Sequence, residues 1–112
     1  MIRFSAFALF AIICSSSLAQ AAPDYQRDVA PLLTKYCGGC HNADDAEGGL
    51  ALDSYQALLK GGKKGSAITP GRGDQSRLLR VITGQAKPAM PPEGEARPKP
   101  EELARLKAWI DH

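Results

Sequence analysis

The first regular pattern of apolar positions along the chain runs from Val29 to about Cys37. Apolar side chains recur there at helical spacing, which predicts a helix with one buried face. The residues of this face are Val29, Leu32, Leu33 and Tyr36. Asp28 precedes the segment and is predicted to cap the helix. Pro31 falls in the first turn, where a missing backbone N–H costs no helical hydrogen bond.

Two further short helices are predicted downstream. The first is capped by Asp53 or Ser54 and ends at the glycines 61–62. The second is predicted to be capped by Asp74 and to stop at Gly84. Its inward-facing residues are Leu78, Leu79 and Ile82.

The segment from Gln85 to Pro100 contains five prolines, which predicts an irregular loop. A last helix is predicted to begin near Pro100, because proline is favoured at the first helical position. Its apolar residues are Leu103, Leu106 and Ile110, with Trp109 beside them. The chain has no internal repeat and no convincing strand pattern. The predicted fold is therefore all-α, with about four short helices and long loops.

The N-terminal residues 1–21 have the pattern of a signal peptide. Arg3 gives a short positive region, an apolar run follows at residues 4–14, and alanines occupy a small-x-small cleavage position. The apolar run is far shorter than the roughly 20 residues that a membrane-spanning helix needs. We therefore predict export to the periplasm, cleavage after residue 21 and one mature domain, 22–112. An uncleaved membrane anchor is the alternative.

Composition narrows the function only slightly. The chain has 112 residues, a formal net charge of +2 and 44% hydrophobic residues. No basic-aromatic pattern indicates nucleic-acid binding, and no glycine-rich loop has the spacing of a phosphate site. A mature domain of about 90 residues has a marginal core, which usually needs a disulfide, a metal or a cofactor.

Residues 37–41, Cys-Gly-Gly-Cys-His, form a C-x-x-C-H sequence, which is the attachment signal for c-type haem. Two intervening residues let both thiols reach the haem vinyl groups, and His41 can then serve as the proximal iron ligand. The glycines add no bulk against the porphyrin edge. A thioredoxin-like pair would need a βαβ setting, and a structural zinc would need four ligands. A disulfide between Cys37 and Cys40 remains the simplest alternative.

Met90 is the candidate for the second axial ligand. It is the only methionine in the predicted mature domain, and neighbouring prolines restrict its loop. A thioether raises the reduction potential of haem iron relative to a second imidazole. The alternatives are a methionine that fills a gap in the core and His112 as the ligand, although His112 ends the chain.

Other residues are less specific candidates. The predicted walls of the haem pocket are Leu50, Leu52, Leu58, Leu59, Leu78, Leu79 and Ile82. The arginines that could neutralise haem propionates are Arg72, Arg77 and Arg80. The lysines that could meet an acidic redox partner are Lys60, Lys63 and Lys64. The carbonyl of Pro70 is a candidate to accept a hydrogen bond from His41. The alternative for the leucines is ordinary core packing, and the alternative for the arginines and lysines is exposure to solvent. The alternative for Pro70 is a simple turn.

The order of these features resembles class I cytochrome c, and its motifs resemble the planctomycete-type cytochrome c domain. These motifs are Gly48-Gly49-Leu50-x-Leu52-Asp53-Ser54, Gly61-Gly62, Ile68-Thr69-Pro70-Gly71, Ser76-x-Leu78-Leu79, Met90-Pro91-Pro92 and Leu106-x-x-Trp109-Ile110. The resemblance covers essentially all of residues 22–112. It implies that the first and last helices pack together and that His41 and Met90 are the axial ligands. Lys99 departs from the pattern, because its ammonium cannot accept the hydrogen bond of a helix cap.

In that family the domain often begins much larger secreted proteins, whereas this chain is expected to be a free-standing cytochrome. The predicted function is one-electron transfer between larger redox proteins by a monomer that carries one covalent haem and catalyses no reaction of its own. Two alternatives stay open. One is a haem sensor or peroxidatic protein with a labile sixth position. The other is a subunit permanently docked on a periplasmic dehydrogenase or oxidase.

Overall fold

The computed structural model describes residues 10–15 and 22–112 of the chain. Four α-helices lie in these ranges: α1 (Ala30–Tyr36), α2 (Tyr55–Lys60), α3 (Arg77–Ile82) and α4 (Pro100–Asp111). Shorter helical turns are a π-helical turn at Tyr25–Val29 and 3-10 turns at Glu47–Gly49 and Gly73–Gln75. Within the described ranges, β-structure is limited to two isolated bridges. The predicted all-α class with four short helices and long loops is confirmed.

Most of the predicted signal peptide, residues 1–21, lies outside the described residues. The part that is described, residues 10–15, is non-helical and exposes Phe10, Ile12 and Ile13. In the portion of the chain that is described, no helix has both the length and the apolar character needed to cross a membrane. Among the described residues, the buried hydrophobic ones lie between Val29 and Ile110.

The first helical segment begins one turn earlier than predicted, because Asp24 caps it rather than Asp28. Oδ1 of Asp24 accepts the N–H of Arg27 at 2.8 Å, and Oδ2 of Asp28 accepts the N–H of Asp24 at 2.8 Å. Hydrogen bonds from the Arg27 side chain and from that N–H lower the pKa of Asp28 to about 2. The prediction of Asp28 as the cap was therefore wrong, although Asp28 does bond the start of the helix.

The predicted boundaries of α2 are confirmed. Oγ of Ser54 accepts the N–H of Ala57 at 3.1 Å, so Ser54 is the cap of the two candidates. Gly61 ends the helix with a positive φ of 66°. A Cβ atom at that position would also lie 1.9 Å from the carbonyl oxygen of Gly65. Only glycine therefore fits this close turn without displacing the backbone.

Ser76, rather than the predicted Asp74, occupies the N-cap position of α3. Asp74 lies in the preceding 3-10 turn. Ser76 is fully buried, and its Oγ accepts the N–H of Thr69 at 2.8 Å and donates to the carbonyl of Arg72 at 2.9 Å. Ser76 therefore fastens the preceding loop to the start of α3 instead of capping the helix with its side chain.

The first and last helical segments pack together, as the resemblance implies. The ring of Tyr25 lies 5.3 Å from that of Trp109, and the hydroxyl of Tyr36 donates to Oε1 of Glu102 at 2.6 Å. Trp109 is thus a helix-packing residue. Oε1 of Glu102 also accepts the N–H of Lys99 at 2.9 Å. This bond satisfies the backbone N–H of Lys99 at the helix start. The ammonium group of Lys99 cannot accept a hydrogen bond and so cannot cap the helix.

The core lies between these helices and the loops that join them. Helix α3 contributes four of its six residues to the core, so it is buried on most of its circumference. The core residues are Val29, Leu33, Leu52, Leu58, Ala67, Ile68, Leu78, Leu79, Val81, Ile82, Leu106 and Ile110. The central position of α3 determines where the neighbouring loops can dock.

Glu102 should make the stability of the fold sensitive to acid. Hydrogen bonds from the Tyr36 hydroxyl and the Lys99 N–H lower the pKa of Glu102 from its ordinary value of 4.5. Its charged form therefore stabilises the fold fully above pH 4.5, and this contribution is lost as the pH falls through the lower folded-state pKa. We predict that Glu102→Gln lowers the urea midpoint at pH 7 and that its difference from wild type shrinks towards pH 3.

The neighbouring Glu101→Gln is the matched control, because Glu101 is exposed in the same helical turn. We expect a smaller effect from it at every pH. A Glu102→Gln difference that stays constant between pH 7 and pH 3 would contradict the assignment.

Candidate cofactor site

Residues 37–41 form a tight turn directly after α1. The N–H of Cys37 donates to the carbonyl of Leu33 at 2.9 Å, which makes Cys37 the last hydrogen-bonded position of the helix. The N–H of His41 then donates to the carbonyl of Cys37 at 3.0 Å. The helix end therefore fixes the spacing of both cysteines and the histidine.

The two thiols lie in different surroundings. Cys37 is half-buried, and burial raises the pKa of its thiol to about 11. Cys40 is exposed, and its pKa is raised by the negative charge of Glu47 and, to a lesser degree, by partial desolvation. Both residues are free thiols rather than the alternative disulfide.

His41 is held by a backbone carbonyl. Its Nδ1 lies 3.2 Å from the carbonyl oxygen of Leu50. Because a carbonyl can only accept, Nδ1 is the donor in this bond, and in the neutral imidazole Nε2 is then the nitrogen with a lone pair to bind a metal. The partner predicted from the sequence, Pro70, was wrong. Pro70 is exposed, and the Gly71 N–H that follows it bonds the carbonyl of Ile110 on α4.

Two adjoining cavities form one crevice beside this turn. The first has a volume of about 180 Å³ and is lined by both Cys37 and Cys40. The second has a volume of about 350 Å³ and extends towards Lys63 and Arg77. The residues common to both are His41, Glu47, Leu50, Leu78, Val81 and Met90. Together the cavities reach the size of ordinary small-molecule sites, roughly 300–1,000 Å³.

The walls of this crevice agree only in part with the predicted set. The predicted residues that line it are Leu50, Leu52, Leu78 and Ile82. Leu58 and Leu79 lie in the core behind the wall, and Leu59 is 39% exposed. The lining residues missed by the sequence analysis include Ala67, Val81, Pro88, Pro91, Pro92 and Pro98. Val81 could have been predicted, because it follows two predicted core leucines on the same helix, α3. The prolines had no such signal, because they belong to a loop without periodicity.

Basic side chains line the end of the crevice that lies away from the cysteines. These residues are Lys63, Lys64 and Arg77. The other predicted arginines lie elsewhere: Arg72 donates to Oε1 of Gln75 at 3.1 Å, and Arg80 is exposed. An elongated ligand with carboxylates at one end would therefore find basic partners there.

The methionine loop (residues 83–99) joins α3 to α4 and is docked on the end of α3. The last carbonyls of a helix have no donor within the helix. Here Ala86 donates its N–H to the carbonyl of Arg80 at 3.0 Å, and Met90 donates its N–H to the carbonyl of Val81 at 2.9 Å. These bonds bring the half-buried Met90 side chain to the crevice. The rival ligand, His112, is exposed at the end of α4.

The donor set and shape of the crevice fit a haem group. One end offers two thiols with Lys35 beside them, the apolar middle is bordered by an imidazole and a thioether, and the other end carries three further basic side chains. Gly39 lines the cysteine end, and a Cβ atom there would meet nothing within 4 Å. A Cβ at Gly38 would instead lie 2.8 Å from the carbonyl oxygen of Thr34. Of the two glycines, Gly39 is therefore the one that borders the site.

A small helical domain in which a C-x-x-C-H turn and a methionine border one apolar crevice has the architecture of a c-type cytochrome. The family model for planctomycete cytochrome C matches residues 37–94, slightly more than half of the chain. The chain therefore belongs to the planctomycete cytochrome c family. Membership indicates a haem-binding electron carrier with redox partners. No curated protein and no solved structure gives a significant match.

Two leucines that were both predicted as walls should behave differently. Leu78 is buried and lines the crevice, whereas Leu59 is exposed. We predict that Leu78→Ala lowers the free energy of unfolding of the haem-loaded protein by about 2–5 kcal/mol, because it removes buried contacts and leaves a cavity. Leu59→Ala should cost less than about 1 kcal/mol. Equal losses in urea unfolding would contradict this assignment of the wall.

Proposed function

We propose that this chain is an exported, single-haem c-type cytochrome that carries one electron at a time between larger redox proteins. It acts in the periplasm as a monomer and catalyses no substrate reaction of its own. The observation that carries the proposal is that Cys37, Cys40, His41 and Met90 all border one apolar crevice, although half of the chain separates the first from the last. The family match includes all four residues.

Each of the four residues has a distinct role in this proposal. Cys37 and Cys40 would hold the haem covalently, each thiol adding across one vinyl group to give a thioether. His41 would bind the iron through Nε2, while its Nδ1 lies 3.2 Å from the carbonyl of Leu50. Met90 would provide the sulfur ligand. A haem held there supplies an iron centre that takes up and releases one electron.

The surrounding residues tune and protect this centre. The apolar side chains of Leu50, Leu78 and Val81 limit access of water, which favours the less charged ferrous state and raises the reduction potential. A thioether ligand acts in the same direction. The backbone bonds of His41 and Met90 restrict ligand movement, so little structure has to change when the electron is transferred.

We further propose that the basic end of the crevice receives the two haem carboxylates. Lys63, Lys64 and Arg77 line this end, and the thiols that define the haem's vinyl edge lie at the other. Lys63 and Lys64 are also exposed, so they can contribute to contact with an acidic redox partner.

The proposed division into a signal peptide at 1–21 and a cytochrome domain at 22–112 is supported by burial. Phe10, Ile12 and Ile13 are 94%, 87% and 86% exposed, so they add no packing to the domain. Loss of such a segment on export would leave the core unchanged.

Covalent attachment can be tested through the cysteines. We predict that the double variant Cys37→Ala/Cys40→Ala loses covalent haem completely, because no thiol remains in the proposed cytochrome domain, 22–112, to add to a vinyl group. The readout is haem retained on the protein after denaturing acid extraction and the corresponding protein mass. Cys14→Ala is the matched control and should retain haem, since Cys14 lies in the proposed signal peptide. Haem retained by the double variant would refute the attachment.

The role of Met90 as an iron ligand can be tested by variants that lack its sulfur atom. We predict that Met90→Leu and Met90→Ala still bind haem but open the sixth position. The potential should fall by on the order of 0.1 V, within the roughly 0.8 V range that axial ligands span. Ferrous Met90→Leu should bind carbon monoxide rapidly, whereas wild type should bind it slowly. Leucine nearly preserves the volume of the methionine side chain, whereas alanine does not. Equal changes of potential and carbon monoxide binding in both variants would therefore assign these changes to loss of the sulfur.

An unchanged potential and spin state in Met90→Leu would remove Met90 from the mechanism. Rapid binding of carbon monoxide by the wild-type ferrous protein would instead favour the sensor or peroxidatic alternative.

A further inference from the structure

A single guanidinium group bridges the end of α3 and the methionine loop. Nη2 of Arg97 donates to the carbonyl of Ile82, the last residue of α3, at 2.9 Å. The same nitrogen donates to the carbonyl of Met90 at 3.2 Å, and Nη1 donates to that of Pro91 at 3.1 Å. Arg97 therefore contacts the helix end, the backbone of Met90 and the residue that follows.

These contacts hold the backbone of Met90 on both sides. Its N–H donates to the carbonyl of Val81, and its carbonyl accepts from Arg97. Both anchors lead back to consecutive residues at the end of α3, which is buried in the core. The backbone of Met90 is thereby tied to a helix with four buried residues.

Arginine suits this position for two physical reasons. Its planar guanidinium presents donors in a fixed fork, so one side chain can bond several carbonyls at once. Its positive charge also lies at the C-terminus of α3, where the helix dipole favours a cation. Charge-assisted hydrogen bonds are in addition stronger than neutral ones.

Other side chains anchor the methionine loop at a different point. Arg77 and Lys64 donate to the carbonyl of Lys87 at 2.8 and 3.3 Å. These contacts fix the loop three residues before Met90 and do not involve Met90 itself. Arg97 is therefore the side chain placed to restrain the backbone of the ligand.

We propose that Arg97 is a positioning residue that holds the Met90 thioether at the iron and so determines how readily another ligand displaces it. This inference rests on the proposed function, because it requires Met90 to bind the iron. Arg97 lies beyond the segment matched by the family, residues 37–94. Its role follows from the hydrogen bonds of this structure.

The test is a titration of the ferric, haem-loaded protein with imidazole, which competes with the methionine sulfur. The variants are Arg97→Met, which removes all three hydrogen bonds, and Arg97→Lys, which keeps the charge but loses the planar fork. Arg105→Met is the matched control, because Arg105 is an exposed arginine on α4. Circular dichroism at the titration temperature verifies that each variant keeps its helices.

We expect Arg97→Met to bind imidazole about tenfold more tightly than wild type, a change equivalent to about 1.4 kcal/mol. The near-red sulfur-to-iron band of its ferric form should weaken in parallel. Arg97→Lys should fall between Arg97→Met and wild type, because one ammonium cannot hold three carbonyls in the same geometry. Arg105→Met should match wild type in both readouts.

The outcomes separate this inference from the proposed function. If wild type shows the near-red band and Arg97→Met leaves band and imidazole affinity unchanged, Arg97 has at most a structural role and the inference fails alone. If wild type lacks the band, Met90 is not the ligand and both proposals fail. If Arg97→Met does not accumulate with haem, the test uses Arg97→Lys instead. An imidazole affinity of Arg97→Lys equal to that of wild type would overturn the inference.

Discussion

The structure depends on how the free carbonyls at the end of α3 are satisfied. A helix of six residues gains little stability alone and is maintained by packing. The carbonyls of Arg80, Val81 and Ile82 accept hydrogen bonds from Ala86, Met90 and Arg97 in turn. Every one of these donors belongs to the methionine loop. The requirement to satisfy a buried helix end therefore folds the proline-rich loop against the core.

The same helix also builds the crevice. Its residues Leu78, Val81 and Ile82 form part of the apolar wall, while its end positions Met90. His41, the other proposed ligand, is held by the Leu50 carbonyl and by α1, whose last turn leads directly into residues 37–41. α1 is in turn tied to α4 by the hydrogen bond from Tyr36 to Glu102. Core packing and ligand geometry consequently share the same elements, which suits a protein that must change charge without changing shape.

Local chemistry was predictable from the sequence, whereas tertiary partners were not. The C-x-x-C-H sequence, the glycine that ends α2 and the proline that begins α4 act within a few residues, and their positions were predicted correctly. Asp28 was the predicted cap, but Asp24 takes that place, because the helical segment extends back to Tyr25, whose ring packs against Trp109.

The failures concern contacts that no periodic pattern encodes. The carbonyl that holds His41 belongs to Leu50 rather than to the predicted Pro70, and nothing in the local sequence distinguishes one loop carbonyl from another as an acceptor. Arg97 carries no sequence signal, because its three acceptors are backbone carbonyls whose positions depend on the complete fold. Leu59 is as apolar as the residues that line the crevice, but the orientation of α2 exposes its side chain to solvent.

The most direct measurement is the optical spectrum of the wild-type protein, produced with a c-type haem maturation system, in both oxidation states. The account predicts a low-spin c-type spectrum, with the weak near-red band of a sulfur-to-ferric-iron bond in the oxidised form. A high-spin spectrum without that band would show that docking the loop on α3 does not bring Met90 to the iron, and would contradict the account.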